Sequence, residues 1–146
     1  MLNKLNHFLA TGFYSGHLPA APGTWGSLLM VLLIFFFPVL NNIYLISALS
    51  IGGIAVANYE ERQTGIKDDS KIVIDEMAGQ LLTFYTLKTT APVLIGGFIL
   101  FRIFDITKPW LIDKVQDLPS GWGVMLDDLL AGLTSLIILK IIIILI

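Results

Sequence analysis

Residues 129–146 of the chain read LLAGLTSLIILKIIIILI, a stretch whose one charged residue is Lys140. A transmembrane helix needs about 20 mostly apolar residues, whereas runs of about 10–14 residues are more typical of core or re-entrant helices. Four shorter apolar runs precede this stretch: Ser27–Leu40, Ile43–Ala57, Met77–Leu87 and Pro92–Phe104. The pattern predicts an all-α fold, a membrane-embedded bundle of about four or five hydrophobic helices, some of them short or re-entrant.

The composition points to the same environment. Of the 146 residues, 55% are hydrophobic and 14% are charged, whereas a soluble domain carries about 25% charged residues. One small core cannot hide such a surplus of apolar side chains. Disordered, collagen-like and solvated coiled-coil proteins are therefore excluded, and the length predicts one domain spanning residues 1–146.

Several functional classes can be set aside. The chain has no cysteine, which excludes disulfide frameworks, zinc–thiolate sites and a cysteine nucleophile. The net charge of −2 offers no basic surface, so we expect no nucleic-acid partner. Residues 1–16 lack the apolar segment of a cleaved signal peptide.

The charges are unevenly distributed. All eleven acidic residues lie between Glu60 and Asp128. If every apolar run crosses once, starting from the cytoplasm, seven of the nine Lys and Arg residues lie on the cytoplasmic side together with all the acids, as the positive-inside rule requires. We expect a multi-pass membrane protein with its site on the cytoplasmic side. The two middle runs could instead form a hairpin that dips into the bilayer, which preserves the same sidedness.

The first motif with chemical potential is Ala21–Ser27, APGTWGS. Glycines and hydroxyls ahead of a helix can present backbone N–H groups to a phosphate. The Gly-Lys-Ser/Thr ending of a Walker loop is missing. The other interpretation is an ordinary turn in which Thr or Ser caps the helix. The candidate phosphate-binding residues are Gly23, Thr24, Gly26 and Ser27.

The second motif is Asp75–Glu76, directly before an apolar run that contains Gly79. Acids at a helix start favour the helix dipole, but unpaired carboxylates next to lipid are costly. A metal ion or a cationic partner would relieve that cost.

The third motif places Arg102, Asp105 and Lys108 three residues apart, ahead of Pro109. This spacing puts the three side chains near one face of a helix, which Pro109 should end or kink. They could form a structural ladder of ion pairs. Alternatively, the carboxylate binds a metal and the two cations bind phosphate oxygens.

The fourth motif is Asp127–Asp128, which follows Gly121 and Gly123 and enters the last apolar run. We expect the pair at the head of the last helix, where capping explains one aspartate but not both. Two adjacent like charges need a cation or a raised pKa. A set of oxygen ligands without cysteine favours Mg²⁺ over Ca²⁺ or Mn²⁺.

The other polar residues have simpler interpretations. We expect the remaining acids to be solvated surface charges, His17 to be a bystander and the tryptophans to be interfacial anchors. The acids are Glu60, Glu61, Asp68, Asp69, Asp113 and Asp117, and the tryptophans are Trp25, Trp110 and Trp122.

Taken in order and spacing, the four motifs resemble phosphatidylglycerophosphatase A over roughly residues 16–132. The resemblance implies a Mg²⁺-dependent phosphatase of the bacterial inner membrane with a helical fold peculiar to the family. It implies phosphatidylglycerophosphate as the substrate, and phosphatidylglycerol and phosphate as the products. The expected partners are this phospholipid and the bilayer.

The resemblance also implies roles for residues of this chain. The acidic metal and catalytic set is Asp75, Glu76, Asp105, Asp127 and Asp128, of which Asp75, Glu76, Asp127 and Asp128 are the expected metal ligands. The phosphate-binding set is Arg102 and Lys108 with residues 23–27. An acid such as Asp127 or Asp128 serves as base for an attacking water, or a covalent aspartyl-phosphate forms.

Two other functions remain open on the sequence. One is a metal-dependent transferase acting on lipid-linked phosphate, which would need an alcohol acceptor. The other is a small membrane transporter or channel subunit, which would place its acids at mid-span depth, whereas here they gather at the ends of the apolar runs.

Overall fold

The computed structural model describes residues 2–66, 69–109, 111–116, 118 and 121–146, so Trp110, Asp68 and Asp117 lie outside the described residues. Within that part of the chain all regular elements are helical, which confirms the all-α prediction. The α-helices are α1 (Leu2–Ala10), α2 (Pro22–Phe36), α3 (Ile43–Thr64), α4 (Ile74–Thr83), α5 (Ala91–Thr107), α6 (Leu111–Gln116) and α7 (Gly121–Leu145). Short 3₁₀ turns occupy Ser15–His17 and Pro38–Leu40.

The ten-residue helix α4 lies at the centre of the fold. It contacts α2, α3, α5 and α7, and its most extensive contact is with α7. Eight of its ten residues are buried, and Met77 and Leu81 belong to the largest apolar cluster of the core. Helix α4 is too short to cross a bilayer. The first part of the apolar run Met77–Leu87 therefore belongs to a buried core helix, which ends at Thr83.

Two glycines set the distance between α4 and α7. A Cβ atom added to Gly79 would lie 2.4 Å from the carbonyl oxygen of Asp128, and one added to Gly132 would lie 2.2 Å from the carbonyl oxygen of Gly79. Only residues without a side chain allow two helix backbones to approach this closely. The hydroxyl of Thr83 donates to the carbonyl of Gly79 at 3.0 Å and reaches that of Gly132 at 3.5 Å.

Helix α2 begins earlier than the apolar pattern predicts. Its first residue is Pro22 and its N-cap is Ala21, which makes no side-chain capping bond. The interpretation of Thr or Ser as the cap is therefore wrong. Proline suits the first helical position because its ring fixes φ and its missing N–H would have no intrahelical partner there.

Helix α7 also begins earlier. It starts at Gly121, whose N–H donates to the side-chain oxygen of Asn58 on α3 at 2.6 Å. Asp127 and Asp128 are thus the seventh and eighth residues of the helix, and the prediction that they stand at its head is wrong. Because the dipole effect fades beyond the first turn, it does not stabilise these carboxylates.

The break between α2 and α3 matches the sequence. Asn42 caps α3 by accepting from the N–H of Leu45 at 2.9 Å, and Asn41 donates to the carbonyl of Phe84 at 2.7 Å. Helix α5 ends at Thr107, before Pro109, as predicted. Lys108 then adopts a left-handed conformation with φ of 41°.

Two of the helices, α3 and α7, are long and apolar enough to cross a membrane, judged by length and composition alone. The predicted bundle of four or five membrane helices is thus matched only in part. The outward faces of α2, α3, α5 and α7 nevertheless carry large exposed apolar side chains. Among them are Phe36, Ile51, Ile95, Ile103, Ile137 and Ile144.

Helix α1 is fastened to α3 by a buried acid. Glu60 is 7% exposed and accepts from the side-chain amide of Asn6 at 2.8 Å. The ring of His7 lies 3.2 Å from its other oxygen. The prediction that Glu60 is a solvated surface charge is wrong, because α1 covers this end of α3. The ring of His7 also contacts His17, whose Nε2 lies 2.8 Å from Nε2 of His7.

Candidate active site

Two acidic pairs that are far apart in sequence meet beside the contact of α4 with α7. Ligand oxygens of Asp75, Glu76 and Asp128 all lie within 4.8 Å of one another. Asp75 and Glu76 occupy the first turn of α4, as predicted. The close approach at Gly79 and Gly132 carries Asp128 toward them, because no side chain separates the two helices there.

Burial makes these carboxylates hard to ionise without a partner. It raises the pKa of Asp75 to about 7, and the negative charge of Asp127 adds to the effect. Burial also raises the pKa of Glu76 well above its usual range, followed by the charges of Asp75 and Asp105. Such shifts indicate a site that favours protons or cations over bare carboxylates.

Arg102 joins helix α5 to this cluster. Its guanidinium forms an ion pair with Asp105, one turn further along α5. A Cβ added to Gly23 would lie 2.1 Å from Oε1 of Glu76 and 3.3 Å from Nη1 of Arg102. Glycine at position 23 therefore lets the start of α2 lie directly against one acid and one cation of the site.

Lys108 reaches the site from the end of α5. Its Nζ lies 2.5 Å from Oδ2 of Asp127, which is almost fully buried. Oδ1 of Asp127 accepts from the N–H of Asp128 at 2.9 Å. Burial opposes the charge of Lys108, but the hydrogen bond and the negative charge of Asp127 outweigh it and raise the pKa of the amine.

The other residues of the APGTWGS segment lie within the first two turns of α2. The hydroxyl of buried Ser27 donates to the carbonyl of Gly23 at 2.8 Å. Gly26 packs against Val73, whose Cβ would lie 2.7 Å from a Cβ at that position. Thr24 lines an open groove together with Arg102. Of this segment, Gly23 and Thr24 thus lie nearest to the charged cluster, while Gly26 and Ser27 face the interior.

Comparison with known proteins identifies the family of the chain. A sequence model described as phosphatidylglycerophosphatase A matches residues 8–143, which is nearly the whole chain. The chain belongs to the phosphatidylglycerophosphatase A family. Membership confirms the enzyme class expected from the sequence, a phosphatidylglycerophosphatase, which is a phosphoric monoester hydrolase.

Three relatives cover most of this chain. A Bacteroides thetaiotaomicron protein provisionally named phosphatidylinositol-3-phosphatase is 38% identical over 144 residues, which is 91% of this chain and 90% of the relative. Phosphatidylglycerophosphatase A of Escherichia coli is 36% identical, covering 88% of this chain and 78% of the relative. The Haemophilus influenzae protein of the same name is 33% identical, covering 94% and 88%. No solved structure is significantly similar to the chain.

The donor set of the acid cluster suits a divalent cation. Asp75 Oδ1 and Glu76 Oε2 are buried without a hydrogen-bond partner among the described residues. Both belong to the cluster with Asp128. Carboxylate oxygens are the ligands that hard cations such as Mg²⁺ prefer. The arrangement of these oxygen atoms therefore fits a hard divalent metal ion.

One buried polar residue of α4 was not among the candidate site residues predicted from the sequence. Gln80 is fully buried one turn after Glu76 on α4, and neither its amide nitrogen nor its amide oxygen has a partner in the described part of the chain. Its signal was visible, since it is the one amide within the run Met77–Leu87. A residue four positions after Glu76 falls on the same face of the helix.

Proposed function

We propose that this chain hydrolyses phosphatidylglycerophosphate with Mg²⁺ held by Asp75, Glu76 and Asp128. The observation that carries the proposal is the meeting of these three acids within 4.8 Å beside Arg102, which contacts the same glycine as Glu76. Cation ligands and a phosphate-binding guanidinium thus lie side by side. Hydrolysis of a phosphomonoester requires positive charge around the phosphate oxygens, which a metal ion and a guanidinium both provide.

The acids hold the ion and position it. Asp75 and Glu76 each have a buried oxygen without a protein partner, and Asp128 supplies a third from the facing helix. A bound Mg²⁺ would neutralise phosphate charge and lower the pKa of a water. Asp127 stands next to this set and adds a fourth carboxylate, turned toward Lys108.

The cations bind the phosphate. Nε of Arg102 is buried and has no partner in the described residues, so the guanidinium still offers a donor while it pairs with Asp105. Arginine binds phosphate oxygens in a bidentate manner. Lys108 supplies a second positive charge, and Gly23 contributes an amide near the N-terminus of α2, where anions are favoured.

Two routes for phosphoryl transfer use the same residues. In one, Asp127 or Asp128 accepts a proton from the attacking water. In the other, an aspartate attacks phosphorus, the lipid alcohol leaves, and water then hydrolyses the aspartyl-phosphate. Acid quenching of a single-turnover reaction followed by peptide mass spectrometry separates them, because only the covalent route leaves a phosphoryl group on an aspartate side chain.

We also propose that the protein is a multi-pass protein of the bacterial inner membrane, with the acid cluster on the cytoplasmic side. The apolar outward faces of α2, α3, α5 and α7 support this proposal, as do the lengths of α3 and α7. Extended apolar patches of this kind are rare on soluble monomers. Surface labelling of single cysteines at positions 88 and 113 in spheroplasts tests the sidedness.

The test of activity is phosphate release by the purified protein in mixed micelles. We expect release from phosphatidylglycerophosphate with Mg²⁺, none with EDTA, and recovery when Mg²⁺ is restored. Phosphatidylinositol 3-phosphate belongs in the same assay, because the relative that is 38% identical carries that name. Release without any alcohol acceptor excludes a transferase. Lack of release from both lipids would refute the proposal and favour a transporter or channel subunit.

A further inference from the structure

An open groove of about 410 Å³ runs along α5 beside the start of α2. Its lining is almost entirely apolar and includes Phe98, Ile99, Ile103 and Ile106. The three isoleucines recur at the spacing of one helix face, and between the first and the last α5 rises about 10 Å. The volume falls within the range of small-molecule pockets, about 300–1,000 Å³.

The polar end of this groove is part of the active site. Arg102 lines the groove and also contacts Gly23 against Glu76. Thr24, the next residue of α2, lines the groove as well. A ligand whose anionic group bound Arg102 would therefore have the apolar surface of α5 directly beside it.

We propose that this groove binds an acyl chain of the lipid phosphate that is being hydrolysed, an inference that rests on the proposed function. The occupant must combine a negative charge at Arg102 with a long apolar segment covalently attached to it. A phosphomonoester lipid has both features. A lipid of the surrounding bilayer could also place an apolar chain in the groove, but such a lipid does not explain why the groove leads to Arg102.

The placement has a consequence for specificity. A chain held along α5 orients the glycerol backbone, and the energy of binding remote groups can then be used at the reacting phosphate. Water-soluble phosphomonoesters lack this contribution. The enzyme thus selects lipids by the apolar part of the substrate as well as by its headgroup.

The test fills the groove and compares two substrates. Ile103→Trp and Ile99→Trp place an indole into it, whereas Ile95→Trp is the matched control on the same helix, because Ile95 is 61% exposed and does not line the groove. Each variant is assayed with dioleoyl phosphatidylglycerophosphate in mixed micelles and with the dibutyryl form in water. We expect the groove variants to raise KM for the long-chain substrate about tenfold or more, with KM for the short-chain substrate unchanged and the control normal for both.

The outcomes decide between the proposal and its rivals. If both groove variants change KM for the two substrates by the same factor, or change KM for neither substrate, the groove does not bind the acyl chain and the proposal is overturned. Activity on the dibutyryl substrate reports that each variant is folded. Loss of that activity in both groove variants also overturns the proposal, because Ile99 and Ile103 would then be needed for folding and not for binding the acyl chain. If the unmodified protein cleaves neither substrate, the proposed function has failed instead.

Discussion

The α-carbon of Gly132 lies against the backbone of Gly79, so closely that a Cβ atom on Gly132 would sit 2.2 Å from the carbonyl oxygen of Gly79. This contact is the structural reason why Asp128 lies beside Asp75 and Glu76. The two acidic pairs belong to different helices, and any residue larger than glycine at this point would separate them.

Gly132→Ala should push α7 away from α4. Overpacking of this kind costs about 1–3 kcal/mol, and the displaced Asp128 should reduce phosphate release as well. Urea unfolding in detergent and the release assay measure the two effects. The matched control is Gly52→Ala on α3, where a Cβ meets no atom within 4 Å. There we expect stability to be unchanged or to rise by about 0.5–1 kcal/mol. Equal stability of the two variants would contradict the role given to this contact.

Asp75→Asn and Asp128→Asn should each reduce phosphate release about 100-fold or more, because each removes a charged metal ligand. The Mg²⁺ concentration needed for half-maximal activity should rise in both variants. Asp113→Asn on α6, which is solvent-exposed, serves as the control and should retain full activity. Normal activity of both site variants would remove these acids from the site.

The raised pKa of Asp75 predicts an unusual pH dependence of the metal-free protein. Its value is about 7 in the folded chain and about 3.9 when unfolded, so between these values the folded state binds more protons than the unfolded one. The free energy of unfolding should therefore fall as pH rises from about 4 to about 7. Thermal unfolding in EDTA across this range measures it, and Asp75→Asn should flatten the slope. A slope of the opposite sign would contradict the prediction.

The same titration makes Mg²⁺ binding pH-dependent. A protonated carboxyl is a poor ligand, so affinity for the metal should increase as pH rises toward about 7. Isothermal titration of the metal-free protein with Mg²⁺ checks this. An affinity independent of pH over that range would show that the metal binds elsewhere.

Lys108 and Asp127 should behave as one unit in stability. Lys108→Met leaves the buried carboxylate of Asp127 without its partner, and Asp127→Asn removes the charge that the lysine neutralises. A double-mutant cycle should give a coupling energy of about 0.5–3 kcal/mol, and the double variant should be more stable than Lys108→Met alone. Additive effects would indicate that the 2.5 Å contact contributes nothing to stability.

Gln80→Leu should leave stability unchanged or raise it by roughly 1 kcal/mol. The amide of Gln80 is buried without partners among the described residues, and replacing an unsatisfied buried group with an apolar one of similar shape removes a desolvation penalty. Chemical unfolding in detergent measures the change. A loss of more than about 1 kcal/mol would instead indicate an ordered water that satisfies the amide.

The helical class could be predicted because it depends on local pattern. Apolar runs separated by Pro, Gly and Asn signals gave α2, α3, α5 and α7, and Asn42 and Pro109 stand where helices begin or end. The starts of α2 and α7 were predicted too late, since both helices begin with turns that contain two glycines, which read as loop residues in the sequence. Gly121 begins α7 because Asn58, 63 residues away, accepts from its N–H.

The meeting of the acids could be expected only from the family resemblance. Their distances depend on the contact between Gly79 and Gly132, and a sequence without its fold does not show which glycines face each other. Glu60 was misjudged for the same reason. Charged neighbours such as Glu61 and Arg62 indicate an exposed helix end, but Asn6 and His7 arrive from a distant helix and bury the carboxylate.

The position of α4 also predicts at what stage of synthesis the enzyme becomes active. Asp75 and Glu76 emerge from the ribosome well before Asp127 and Asp128, and the most extensive contact of α4 is with α7. Contacts between segments so distant in sequence form late. A nascent chain that has passed Glu76 but has not yet received α7 lacks Asp127 and Asp128, so with the site proposed above we expect it to be inactive on lipid. We expect catalysis to begin only after α7 docks against α4, and a translation product truncated before α7 to leave the membrane phospholipids unchanged.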